Sequence, residues 1–389
     1  PPPALPTVFG VAARRVADPP PTLMTTELSL LVLVLPLAFV HAGLWGIVVL
    51  NLMYLWRQSP SATDPPPSLS VCIPARNEAD NLRRLLPTLA DQEYPDLEVL
   101  VWDDGSEDDT WAVLSAAESP RLTPLRGDDP PPGWVGKVHA LHQCTRRASG
   151  ECYLFLDADA ELRRPDALRR LVARHRGSQT QVSSGFPRLQ GAALLLVSLV
   201  PHALLTSLPW PLVPRTQLPA LSALNGQCWL VDRDVYHRHE PHAQVKDAVL
   251  EDVAIGRYLK QQGHPPTLLD VQDLVAVHMY DGLAEAWRGF RKNAYLLLGG
   301  TPGRFAVMYG GFLLSWLVAP LLSIWFLVSL YGLKLVTDRS SGMPLLVTIL
   351  APLSYLLGLI LQFDSAVHHW SDEVRWKGRS VPSSARDEA

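Results

Sequence analysis

The sequence predicts an α/β domain with a mostly parallel sheet, carried on about three transmembrane helices. Three observations predict it. The 389 residues are 48% hydrophobic and only 19% charged, with a mean hydropathy of +0.09, the balance of a soluble domain joined to a few membrane segments. Three stretches without a charged residue, 28–56, 305–333 and 340–363, exceed the roughly 20 residues that a bilayer span needs. Between the first two, strand and helix patterns alternate, the order of a parallel sheet covered by helices. A net charge of −4 argues against a nucleic-acid partner, and 35 prolines exclude a long helical array. Cys72, Cys144, Cys152 and Cys228 form no C-x-x-C pair and read as reduced, buried thiols.

Taken in order, residues 1–27 read as a disordered, Pro-rich leader. The run 28–56 is too long for a cleavable signal peptide and lacks a small-residue cleavage site. A catalytic domain is expected over 66–300. Its first strand is 69–73, followed by a helix over 77–92 with Leu82, Leu85, Leu86 and Leu89 on one side. A second strand, 97–102, stops at Asp103-Asp104-Gly105-Ser106. Helices over 109–117 and 137–148 precede a strand, 152–156, that ends at Asp157-Ala158-Asp159. The uncharged stretch 189–214 holds Pro201, Pro209, Pro211 and Pro214, so it reads as an interfacial segment. It cannot cross the bilayer, because Asp159 before it and Asp252 after it must share one site. A helix starts at Glu251 and closes at Gly263. Spans over 305–333 and 340–363 and a tail over 364–389 complete the chain. Arg57, Arg304, Arg375, Lys377 and Arg379 outweigh Arg14, Arg15, Lys334 and Arg339, which places the domain and the tail in the cytoplasm.

The chemistry-bearing residues sit where the carboxyl ends of parallel strands should be, the ligand side of such sheets. No G-x-G-x-x-G follows the first strand and no P-loop is present, which disfavours dinucleotide and P-loop enzymes. Carboxylates stand there instead, and they tolerate a phosphate only with a cation between. Asp157 and Asp159 share a face of an extended segment and suit Mg²⁺ or Mn²⁺; the bland alternative is a solvated acidic turn. Asp104 is placed to accept from a nucleobase or sugar, or merely to turn the chain. Asp252 is a general base, or only a carboxylate at a helix start. Arg288, Arg291 and Lys292 clamp a leaving diphosphate, or touch headgroups. His237, His239 and His242 read as part of a polar loop, and His368-His369 as a tail pair, rather than as metal sites.

Ile73-Pro-Ala-Arg-Asn-Glu78, Asp103-Asp-Gly-Ser-Glu-Asp108, Gly136-Lys137, Asp157-Ala-Asp159 and Glu251-Asp252, in this order, resemble a family 2 glycosyltransferase of the GT-A fold. Pro132-Gly-Trp-Val-Gly-Lys137, Asn225-Gly-Gln227, Met279-Tyr280, the Trp287 to Asn293 run and Trp376-Lys-Gly-Arg379 are similar to the membrane-bound branch that glucosylates carotenoids, with hopanoid-pathway enzymes sharing several of them. The resemblance implies an inverting hexosyltransferase that uses a UDP-sugar, UDP-glucose by expectation, and a carotenoid-like lipid acceptor at the cell membrane. It implies Pro74, Arg76, Glu78 and Asp104 at the nucleoside and Lys137 near the uridine or phosphates. It also implies Asp157 and Asp159 at the metal and sugar-phosphate, Asp252 as base, and Arg288, Arg291 and Lys292 at the diphosphate. Lys292 stands where processive synthases of the family carry Trp, which counts against a polysaccharide synthase. The intact carboxylates and Lys137 count against a non-catalytic scaffold, and the lack of an internal repeat counts against a transporter.

Overall fold

Central strands in this chain are buried on both faces, and their sequences are apolar accordingly. The computed structural model describes residues 21–58, 65–127, 129–222, 224–371, 375–376 and 379–380. A long helix, α1 (Pro21–Trp56), leads into an α/β unit. That unit runs β1 (Leu69–Ala75), α2 (Ala79–Ala90), β2 (Leu97–Asp103), α3 (Thr110–Ala116), β3 (Leu122–Arg126), α4 (Gly136–Thr145) and β4 (Cys152–Leu156). It continues with β5 (Ala160–Leu162), α5 (Ala167–Gly177), β6 (Val182–Phe186), β7 (Arg188–Gln190), α6 (Leu194–Val197) and α7 (Leu199–Ser207). Next come β8 (Cys228–Asp232), α8 (Arg233–His239), α9 (Pro241–Gln244), α10 (Glu251–Gln261), β9 (Thr267–Asp270), β10 (Val275–His278) and α11 (Leu283–Leu297).

The main sheet has the order β3-β2-β1-β4-β8-β6-β9. The first four strands in this order are parallel, and β8 lies antiparallel between β4 and β6. Strand order reverses between β1 and β4, so the crevice outside their carboxyl ends is the expected ligand site. Every residue of β4 is buried. Phe155 stacks on its cross-strand partner Trp229 at 4.2 Å. Leu82, Leu85 and Leu89 of α2 are buried at helical spacing. A second sheet, β5-β10-β7, extends the site side.

Two corrections concern the leader and the spans. The first helix begins at Pro21, so residues 21–27 are helical and the rest of the expected leader lies outside the described residues. The uncharged run 305–333 is not one helix. It folds as α12 (Pro302–Leu313), a π-turn (Leu314–Val318) and α13 (Ala319–Leu322), breaks at extended Ser323, and resumes as α14 (Ile324–Ser340). The Ser323 side chain accepts from the Trp325 amide and so starts the next helix. The last run folds as α15 (Leu345–Ile349) and α16 (Ala351–Trp370). Among the described residues, two helical stretches are long and apolar enough to cross a membrane, Val34–Trp56 and Pro302–Leu322, and both leave most of their surface exposed.

The segment 189–214 is a wedge rather than a lone surface helix. Leu194–Ser207, at about 1.5 Å per residue, reaches only about 21 Å, short of the roughly 30 Å of a bilayer core. Its inner residues Leu196, Val197, His202 and Leu205 are buried. Asn51 of α1 donates to the carbonyls of Leu205 and Leu208 and accepts from the Trp210 amide. His202 meets Thr337 at 2.9 Å and Tyr355 at 3.2 Å.

Lys334, counted in the sequence as a headgroup cation of a short link, is fully buried and pairs with Asp338 one turn later. Ser198 accepts from Lys334, and Thr348 donates to Asp338. Asp338→Ala would strand this ammonium, and removing one partner of a buried pair costs about 3–5 kcal/mol. Melting in detergent should therefore drop steeply for Asp338→Ala and recover in the double variant Lys334→Met with Asp338→Leu; an unchanged single variant would contradict the buried pair.

Candidate active site

The first half of the site is built by two loops that lock onto each other. β1 ends at Ala75 and β2 at Asp103, side by side in parallel register. The Arg76 guanidinium turns across to the Asp104 carbonyl (2.6 Å) and the Gly105 carbonyl (3.3 Å). Gly105 takes the positive φ of +68° that this acidic turn requires. Asn77, also left-handed, donates its backbone N–H to Ser106 Oγ and accepts from the Glu107 amide through its side chain. The Glu78 amide donates to Thr110 Oγ1 at 2.8 Å. The loops that carry Arg76, Glu78 and Asp104 therefore lock together at the carboxyl ends of β1 and β2, next to Pro74 of β1. Asp104 is buried beside His139, whose imidazole burial pushes below its ordinary value while the Asp104 charge pulls it back. Trp134 meets His139 edge-on and stacks on His142. This aromatic wall was not legible from local pattern, although Trp134 and Lys137 belong to the same short motif.

The second half is a charge cluster. Lys137 sits at the start of α4, and its Nζ lies 2.8 and 2.9 Å from the two Asp157 oxygens and 3.0 Å from Glu251 Oε1. Burial alone would lower the Lys137 ammonium, but Asp157 and Glu251 carry it well above the usual lysine range. Burial pushes Asp157 up against the pull of Lys137. Glu251 ends below its ordinary value, because Lys137 and Lys292 outweigh its burial. Asp252 goes the other way. Burial and then the Glu251 charge raise it to about 6, opposed by Lys137 and by the Gly226 and Val253 amides.

The strand-entry turn Asn225-Gly226-Gln227 holds this cluster together. The Gly226 N–H donates to Asp252 Oδ2 at 3.1 Å, and the Gln227 carbonyl accepts from the Asp157 amide at 3.2 Å. A Cβ on Gly226 would stand 3.2–3.3 Å from Glu251 Oε1, Asp252 Cβ and Lys137 Nζ, so any larger residue would press these three side chains a few tenths of an ångström outward. The sequence singled out Asp252 but gave Glu251 no role of its own. In the structure Glu251 is the second acceptor of Lys137, 114 positions away in the chain.

Asp157 follows β4 directly and Asp159 lies in the turn after it, both partly buried on either side of buried Ala158. The expected extended segment is a turn here, with the Ala160 amide donating to the Asp157 carbonyl at 3.1 Å. Tyr280 lies close by: burial, then the Asp159, Glu285 and Asp157 charges, push its phenol up. Gly289 lets α11 approach that ring, since a Cβ there would meet Tyr280 Oη at 2.2 Å.

The three cations of α11 do not act together. Lys292 faces the carboxylates, and its charge is felt by Glu251, Asp157 and Asp252. Arg288, one turn earlier on the same face, is exposed. Arg291 is turned away toward Asp364 of α16 at 3.8 Å, and Trp287 donates to the same carboxylate at 2.7 Å. His237, His239 and His242 disperse to Tyr153, the His264 ring and Tyr236 respectively. Among the described residues, Cys152, His175 and Asp232 are the cluster whose ligand atoms lie within 4.8 Å of one another. It stands at the opposite end of β4 from Asp157, with Asp232 paired to Arg176 and His175 bonded to Ser183.

The model of the family described as Glycosyl transferase family 2 matches residues 70–239. A 4,4'-diaponeurosporenoate glycosyltransferase of Staphylococcus aureus is 27% identical over 247 residues, 60% of this chain and 62% of the relative. Its counterpart in a bovine strain is 28% identical over the same length. The match thus spans about three fifths of these relatives. A mannosyltransferase from Pyrobaculum calidifontis, solved with GDP-Man and Mn²⁺, is 20% identical, covers 87% of this chain and 99% of its own, and superposes with a TM-score of 0.51. The fold is therefore GT-A-like.

Proposed function

We propose that this chain, whose residues 70–239 form a family 2 glycosyl transferase domain, moves a hexose from a UDP-sugar to a carotenoid-like lipid in the membrane. Glucose is the expected sugar, a hydroxyl or carboxyl group the expected acceptor, and inversion the expected stereochemistry. The observation that carries this reading is Asp252, a carboxylate at about 6 held beside Lys137, Glu251 and Asp157 at the open end of a GT-A-like sheet. Such a group is ionised at neutral pH yet more basic than an ordinary aspartate, which suits it to take the acceptor proton as the oxygen attacks. The resemblance to enzymes named for 4,4'-diaponeurosporenoate supports the lipid acceptor.

In this reading Pro74, Arg76, Glu78 and Asp104 line the nucleoside. Arg288 and Lys292 face the leaving diphosphate, while Arg291 holds α11 against α16 through Asp364. The donor chemistry fits Mg²⁺ or Mn²⁺, two hard carboxylates at one strand end. Asp159 is the principal ligand and Asp157 assists, because Lys137 already bonds both Asp157 oxygens. A bound divalent cation would neutralise diphosphate charge. The helices Val34–Trp56 and Pro302–Leu322 anchor the protein in the cell membrane as a multi-pass protein, with the catalytic domain cytoplasmic.

The test is transfer of labelled glucose from UDP-glucose into an extracted carotenoid or lipid fraction by the purified full chain with Mn²⁺. Label should enter the organic phase and cease in excess chelator, and Asp159→Ala should lose metal-dependent UDP binding by calorimetry. Full turnover in chelator would remove the metal. Absence of transfer from every UDP- and GDP-sugar tried would overturn the assignment.

A further inference from the structure

A cleft of about 520 Å³ opens where α1 leaves its apolar stretch, far along the sheet from the carboxyl ends of β1 and β4. Arg57, Arg174 and Arg215 line it, over a floor of Tyr54, Gln58 and Thr180. Arg174 is neutralised by Asp273, with both nitrogens 2.7 Å from its carboxylate. Arg57 and Arg215 are exposed and meet no carboxylate among the described residues. Two cations are thus brought to one concavity with their charge uncancelled.

Their neighbours show which surface this is. Trp56, 87% exposed, and Met53 stand immediately before Arg57, and the exposed side chains of Leu212 and Leu218 flank Arg215. Each arginine therefore stands where exposed apolar surface gives way to polar surface, the level of phospholipid headgroups. The arrangement is also rigid. Tyr54 Oη and Gln58 Nε2 both donate to the Leu268 carbonyl, and Gln58 Oε1 accepts from the Asp270 amide. Asn51 ties α1 to the Leu208–Trp210 bend that leads to Arg215. The backbone positions of the two arginines are therefore set before any ligand arrives, which lowers the part of the entropic cost of binding that falls on the main chain.

We propose that this cleft binds the phosphodiester headgroup of an anionic phospholipid, with Arg57 and Arg215 on the phosphate and the acyl chains along Trp56, Met53, Leu212 and Leu218. Guanidinium groups suit phosphate oxygens because they donate in a planar fork. The proposal rests on α1 spanning the membrane, and it concerns neither the sugar donor nor the acceptor. Its test therefore reads binding, not transfer, and stands or falls separately from the catalytic assignment.

The full chain in neutral detergent micelles is titrated with fluorescent phosphatidylglycerol, with phosphatidylcholine and inorganic phosphate as separate arms, and melting is followed in parallel. Phosphatidylglycerol should bind and raise the melting temperature; phosphatidylcholine should do neither. Arg57→Gln and Arg215→Gln should each weaken binding about fivefold, and the double variant about thirtyfold. Both residues are exposed, so folding should survive, and either single variant carries the test if the double one does not express. Equal binding of the two lipids, wild-type affinity in the variants, or equal stabilisation by millimolar inorganic phosphate would each overturn the proposal.

Discussion

Asp252→Asn should lower kcat by about 10²–10⁴-fold, the usual contribution of a general base. Donor affinity should hardly change, because the group serves the acceptor side. The wild-type rate should fall on the acid side through about 6, where burial and the Glu251 charge place Asp252, and this limb should be absent from the Asn variant. A second readout separates the base from a merely structural carboxylate. The folded value of about 6 lies above the ordinary 3.8, so the native state holds the proton more tightly than the unfolded chain. Ionised Asp252 is therefore a burden on the fold, absent when the group is protonated in both states and complete above about 6. Melting of the Asn variant relative to wild type should rise between about pH 4 and 6 and then level. A folded variant with wild-type turnover would exclude Asp252 as the base; a flat melting difference would exclude the raised value.

Lys137→Met should be the other severe substitution. The ammonium bridges Asp157 and Glu251, and its loss leaves two carboxylates facing each other beside a third, Asp252. Loss of one electrostatic partner at a reacting centre costs about 10²–10³ in kcat. The stability cost is about 1–3 kcal/mol, since Lys137 is partly exposed and the orphaned carboxylates recover some hydration. Glu251 would rise from its depressed value, and Asp252 would lose the charge that opposes its burial. Any residual activity should therefore need a higher pH than the wild type. Normal pH dependence in Lys137→Met would show that the bridge has no part in the reaction.

What the sequence determined by itself was local. The expected strands 69–73, 97–102 and 152–156 lie within β1, β2 and β4, and the acidic pairs stand at the ends of β2 and β4. These features are readable because a fully buried strand must be apolar and a chain reversal needs polar or glycine residues. The helix over Glu251–Gln261 and its Gly263 closure are readable for the same reason, the 3.6-residue period and the positive φ of +87°. Only the tertiary structure decided which charges meet. Lys137, expected at the donor's uridine or phosphates, bridges Asp157 and Glu251; Arg291 lies 3.8 Å from Asp364; and Lys334 is buried in a pair with Asp338. An uncharged run likewise could not reveal the break at Ser323, since hydropathy sums composition and carries no direction. The physical reason is range. Strand burial, helix period and turn chemistry act within a few residues, whereas a charge finds its partner in space, across elements that the chain brings together only when the sheet has closed.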